Sequence, residues 1–444
     1  MLNSVKFLGL LGLALALLGG ARLASQASPQ PISLPFSNLT SATHPVELPN
    51  DSDNNSAMVN AATPFASNPQ SVSSVDPRLT AANSRFGFKL FGQLLNADQN
   101  QNILVSPTSV ALALSMLYNG AAGQTQQAMA AGLEIQDLSL VELNQANAAL
   151  AASLQAADPS VQLKIANSLW GRQDVTFKPD FLQRNREFYN AEITSLDFAD
   201  PNSVGQINDW ASQNTAGKIP EIVDRLDPQQ VLFLLNAVYF KGNWTTQFDP
   251  AQTQNQPFYL LDGSQKQHPL MSQRGRYRYY ETDQFQAISL PYGNRRLSMY
   301  VFLPRPNSSL SALTSSLSAA SWETWMGQFR SREGQIQLPK FSFEYETSLN
   351  AALQALGMAP MFQAADFANL SDLDTEVDQV KHKTFIEVNE VGTEAAAVTS
   401  IGVRTTSIDP TPPFQMRVDR PFFCAIRDDE TGTILFMGTV VNPN

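Results

Sequence analysis

Side chains able to do covalent chemistry are scarce in this chain of 444 residues, which has three histidines and one cysteine. His44 lies in a Ser/Asn/Pro-rich stretch, His268 lies in a polar run, and His382 sits in Val380–Lys383, where its ring is expected in the core. A nucleophile needs a base within hydrogen-bond reach, and the motifs that arrange one, Gly-x-Ser-x-Gly and His-Glu-x-x-His, are missing. Phosphate-cradling glycine loops and calcium-loop spacings of Asp and Glu are missing too, so neither an enzyme nor a metal or organic cofactor is expected. Cys424 stands in an apolar run after Pro421 and reads as a buried, inert thiol. The net charge of −11 argues against nucleic acid and anionic membrane as partners.

One stretch instead reads as a strand-competent segment set in an exposed loop. Glu387–Ser407 begins as an alternating strand, crosses Gly392, and continues in small residues without proline. Thr393, Ala395, Ala397, Thr399, Ile401 and Val403 share one face, and Glu394, Ala396, Val398, Ser400, Gly402 and Arg404 share the other. The first face can be buried without burying a charge. Asp409, Pro410, Pro412 and Pro413 follow at once, which is loop chemistry that ends any ladder. The competing reading is the start of an alanine-rich surface helix, for which Glu-Ala-Ala-Ala is good sequence.

The elements around this stretch describe one large domain behind a leader. Residues 1–27 read as an export signal: Lys6, an apolar run from Phe7 to Leu18, and small residues at Ser25 and Ala27. Left uncleaved, they would tether the chain to a membrane. Residues 28–77 are poor in large apolar side chains and read as a flexible linker. A helix is expected from about Ala81 to Leu95, then a second, apolar nearly all round, with Ser106 as its cap and Pro107 in its first turn. Val231–Trp244 is almost continuously apolar, as in a strand covered on both faces. Ala287–Pro304 reads as a hairpin, and a second pair of strands flanks the turn at Asp429–Gly432.

Glu-x-Gly-Thr-Glu-Ala-Ala-Ala, with Asn236 and Phe-Lys-Gly-x-Trp244 in the apolar strand, resembles the serpins, and the likeness runs from about residue 78 to 444. The resemblance implies a mixed α/β serpin fold: a large central sheet, two smaller sheets, clustered helices and an exposed reactive loop. It implies an irreversible suicide inhibitor of serine proteases, which captures its target in a covalent complex when the cut loop enters the main sheet. The alternatives are a non-inhibitory relative (a chaperone or binding carrier) and an inhibitor of cysteine proteases. Carried over residue by residue, the hinge is Glu390, Gly392, Thr393, Glu394, Ala395, Ala396 and Ala397. The sheet-opening gate is Ser109, Asn236 and His382, and the cluster where the loop would insert first is Trp244, Lys340 and Glu390. Family inhibitors cut after the seventeenth residue counted from Glu390, which is Thr406, before Ser407. Arg404, before Thr405, is the alternative, as bait for a trypsin-like pocket. No lysine or arginine lies between Ala121 and Leu163, which argues against a heparin-type polyanion in the region where some serpins bind one. An exported monomer, extracellular or periplasmic, is expected.

Overall fold

The computed structural model describes residues 74–98, 100–393 and 412–444. The leader, nearly all of the linker, hinge residues Glu394 to Ala397, and both candidate bonds, Thr406–Ser407 and Arg404–Thr405, lie outside the described residues.

Helix α1 (Pro77–Ala97) starts earlier than its periodicity predicts, because the Asp76 carboxylate accepts from Arg78 N at 2.8 Å and Pro77 suits the first turn. After strand β1 (Ile103–Val105) comes α2 (Pro107–Tyr118), buried at every position, as an all-round apolar helix must be. Then follow α3 (Gly123–Gly132), α4 (Leu140–Gln155), β2 (Val161–Arg172), α5 (Pro179–Tyr189), β3 (Glu192–Leu196), α6 (Pro201–Asn214) and β4 (Leu232–Asn243). The Ser139/Glu142 capping box starts α4, and prolines open α5 and α6. The next part is mostly sheet: β5 (Gln254–Tyr259), β6 (Gln265–Glu281), β7 (Phe285–Pro291), β8 (Leu297–Pro304), α7 (Leu310–Ser315), α8 (Ala319–Met326), β9 (Arg330–Pro339) and β10 (Phe341–Ser348). The last elements are α9 (Asn350–Leu353), β11 (Gln379–Val388), β12 (Gly392–Thr393), β13 (Phe414–Arg417), β14 (Phe422–Asp428) and β15 (Ile434–Val440).

The main sheet has the order β10-β11-β12-β4-β2-β3. Strand β4 is covered on both faces, as its apolar run requires. Leu232, Leu234, Val238 and Phe240 join the large core that includes α2, whereas Phe233, Leu235 and Ala237 pack with Ile207 and Ala211 of α6. The other strands form one nine-stranded hydrogen-bonded network, β1-β15-β14-β8-β7-β6-β9-β13 with β5 on β6. The two smaller sheets expected from the sequence are joined here because the long β6 serves both, pairing with β5 at its start, β9 along its middle and β7 at its end.

One feature of the main sheet matters for function. Strands β4 and β11 run parallel, paired from Phe233↔Gln379 to Tyr239↔Phe385. Beyond that point they part, and β12 lies between them, antiparallel to both: Thr393 pairs with Gly242 on one side and Val388 on the other.

Candidate functional site

Where β4 and β11 are paired, period-2 alternation turns Asn236 and His382 toward α2. The two residues are direct register partners, and His382 Nδ1 lies 2.6 Å from Asn236 Oδ1. The backbone N–H of Ser106 donates to His382 Nε2 at 3.1 Å, so Nδ1 carries the proton and donates to Asn236. The Asn236 amide in turn donates to Ser109 Oγ and to Asn167 Oδ1. His382 has no exposed surface, and burial pushes its pKa down from 6.5 to about 3, so the ring is neutral. Ser109, Asn236 and His382 thus meet in one buried hydrogen-bonded cluster. Ser106 departs from expectation: it stands at the N-cap of α2, but its side chain makes no capping bond and its backbone serves the imidazole. Asn167 was not foreseen, because the β2–β4 register that sets it opposite Asn236 is not written in either strand alone.

At the upper end of the seam, Trp244, Lys340 and Glu390 are brought to the base of β12. Lys340 Nζ lies 2.9 Å from Glu390 Oε2, and Thr253 Oγ1 donates to Glu390 Oε1 at 2.8 Å. The Glu390 side chain is only 12% exposed, so the pair is stronger than an open surface contact. Burial alone would raise the Glu390 pKa, but Lys340, a backbone N–H and Thr253 outweigh it and hold the carboxyl below its ordinary range. The Trp244 indole donates to the Asn389 carbonyl at 3.0 Å, and its backbone N–H donates to Val391 O at 2.9 Å. Phe248 N donates to Glu390 O at 2.8 Å, so one short segment holds the approach to the hinge from beneath.

Thr393 is fully buried, and its hydroxyl lies 2.7 Å from the hydroxyl of the equally buried Tyr292. The Tyr292 ring stacks on Trp244 at 4.5 Å between centroids and 13° between planes. Burial drives the Tyr292 pKa far up, so its phenol stays a neutral donor and acceptor. Gly392 is required by close approach: a Cβ there would fall 2.1 Å from Gly242 O and 2.6 Å from Asn243 Cα. Tyr292 was missed by sequence reasoning, which took Ala287–Pro304 only as a hairpin. Gly392 and Thr393 already pair on both sides in the uncut chain, so the first residues of this segment lie inside the sheet.

Cys424 and His268 are both withdrawn from solvent. Cys424 is buried, which pushes its thiol up to about 12, and His268 Nε2 contacts Lys340 O at 2.5 Å. Among the described residues, no group of three or more His, Cys, Asp or Glu side chains could hold a metal. No helix among them is long and apolar enough to cross a membrane.

These features define a mixed α/β protein whose main sheet pairs β4 with β11 over a buried polar cluster and holds β12 between them where they part. A family model described as serpin (serine protease inhibitor) matches residues 81–443. An uncharacterised serpin-like protein of Thermococcus kodakarensis is 35% identical over 371 residues, covering 83% of this chain and 86% of that protein. The thermophilic serpin tengpin in its native state superposes with a TM-score of 0.77 at 32% identity, covering 84% of this chain and 97% of that one. Human thyroxine-binding globulin, solved with thyroxine, also gives 0.77, at 26% identity and covering 82% and 98%. The chain belongs to the serpin family.

Proposed function

We propose that the protein is an irreversible suicide inhibitor of proteases, in the first place serine proteases. The observation that carries this reading is the placement of Gly392 and Thr393 between two parallel strands, in the one direction that gives antiparallel pairing on both sides. In the proposed mechanism the protease's nucleophile attacks a bond in the segment 394–411 and forms an acyl-enzyme. The freed chain then extends β12 down the seam. To do so, β4 and β11 must part from Tyr239/Phe385 downward, exchanging the His382–Asn236 bond for bonds to the arriving strand. Continuing the β12 register pairs Thr399 with both Asn236 and His382, so a hydroxyl reaches the buried polar cluster where its bond is broken. The acylated protease is carried along and distorted before water can complete hydrolysis.

About ten further residues gaining ladder hydrogen bonds at ~0.5–1.5 kcal/mol each supply on the order of 10 kcal/mol, comparable to a domain's whole stability. The seven inward and outward residues from Thr393 to Thr399 include no proline, and the only charge, Glu394, falls on the outward face. Cleavage at Thr406–Ser407 suits proteases with small primary pockets, whereas cleavage at Arg404–Thr405 suits a trypsin-like pocket. Residues 1–27 are proposed to export the chain and 28–77 to space the domain, with a monomer as the working form.

The test is to mix the full chain with a panel of serine and cysteine proteases and look for a complex that survives boiling in detergent. The reading expects such a band with at least one protease, and the mass of the released tail identifies the bond. Cleavage within 394–411 by every protease without such a band would favour a non-inhibitory carrier, the kind of role thyroxine-binding globulin has.

A further inference from the structure

Among the described residues, most cations of this acidic chain are taken up by carboxylates, as with Arg78, Arg172, Arg296, Arg305 and Arg332. A cluster of cations largely without that compensation lines one cleft. Arg274, Arg276 and Arg278 occupy alternate positions of β6, all exposed, and they line a cleft of about 520 Å3 together with Arg295 from the β7–β8 turn. Trp244, Phe248 and Tyr277 supply aromatic wall.

Two of the four guanidinium groups, Arg276 and Arg295, make no hydrogen bond or ion pair among the described residues. Arg274 has only the neutral Gln335 side chain, at 3.3 Å. Arg278 is partly committed: it donates to Tyr300 Oη at 3.1 Å and lies 3.8 Å from Asp429. The opposing charges are few. Asp429 lines the cleft but already accepts from Ser298, Tyr300 and Arg427, and Glu333 stands across from Arg276 in the β6–β9 register without an ion pair. Free guanidinium groups around a concave site form an anion receptor, since their planar forks match phosphate and sulfate oxygens. Strand geometry sets the Arg274 and Arg276 side chains about 7 Å apart on one face, a spacing for two anionic groups on one molecule and not for one small ion. The cleft has the size and concavity of a small-molecule site, which favours a ligand over a flat protein contact.

We propose that this cleft binds an anion carrying two or more phosphate or sulfate groups, held by Arg274, Arg276 and Arg295. Its arginines come from β6 and the β7–β8 turn and not from residues 121–163, where lysine and arginine are missing. It stands independently of the inhibitor reading.

The test is calorimetric titration of the full chain with tripolyphosphate and, separately, with a sulfated heparin octasaccharide, at several salt concentrations. The phosphate probe and the sulfate probe distinguish the two sources of the same chemistry. Saturable one-to-one binding of at least one probe is expected, with log K falling against log salt with a slope of about −2 for three contacts. The triple variant R274A/R276A/R295A, all at exposed positions, should keep the thermal midpoint and bind at least tenfold more weakly. The proposal is overturned if neither probe saturates, or if the triple variant binds as tightly as the parent. Slower protease capture by the variant without anion binding would assign the face to a protein contact and overturn it equally.

Discussion

In the proposed mechanism, insertion starts beside Tyr292. Its hydroxyl is buried, stacked beneath Trp244, and paired with Thr393, so Tyr292→Phe leaves the Thr393 hydroxyl without that partner inside the sheet. A loss of about 1–3 kcal/mol is expected, together with faster hydrogen exchange at Thr393. Denaturation and exchange measurements check both, and an unchanged exchange rate would remove Tyr292 from the hinge.

His382 makes a second prediction at the same scale. Its pKa is pushed from 6.5 in the unfolded chain to about 3 in the fold, so below pH 6.5 the unfolded chain binds a proton that the folded one refuses. Stability is therefore full above 6.5 and declines as pH falls toward 3, by at most about 1.4 kcal/mol per pH unit. His268, held low by burial, adds to the same trend. The carboxylates paired in the fold, such as Glu390, are lost only further down, below their ordinary range. In a His268→Gln variant, urea midpoints measured from about pH 7 to about pH 5 should still fall, and a flat profile would contradict a buried neutral His382.

Among the elements, the proposed mechanism rests on β12. Thr393→Arg puts a charge at a fully buried position, costs several kcal/mol, and should expel β12 from between β4 and β11. Proteases should then cut the segment without being captured, which a rise in the number of inhibitor molecules consumed per protease would record. Unchanged stoichiometry would mean that insertion does not begin here.

The strands that frame the seam were legible in the sequence for a physical reason. An apolar run such as Leu232–Phe240 can only be a strand or helix covered all round. Register was not legible. Nothing in β2, β4 or β11 alone says that Asn167, Asn236 and His382 fall in line, or that β12 has already entered. The cap role of Ser106 failed for the same reason: a distant imidazole competes for the local backbone, and no local pattern reports it.

At the scale of the whole molecule, the uncut protein is expected to be metastable, since its main sheet is closed by direct β4–β11 pairing over only part of its length. Cutting within 394–411 by a protease it does not inhibit should raise the thermal midpoint strongly, because about ten residues then add ladder bonds on the order of 10 kcal/mol in total. Calorimetry of intact and cut protein checks this, and an equal or lower midpoint after cutting would argue for a carrier with a passive loop.

The most direct test is the structure of the loop-cleaved protein. The account predicts an added strand continuing from Thr393 between β4 and β11, antiparallel to both, with Thr399 level with Asn236 and His382 and the imidazole–amide bond broken. A cleaved form in which Gln379–Phe385 still pairs with Phe233–Tyr239 would contradict it.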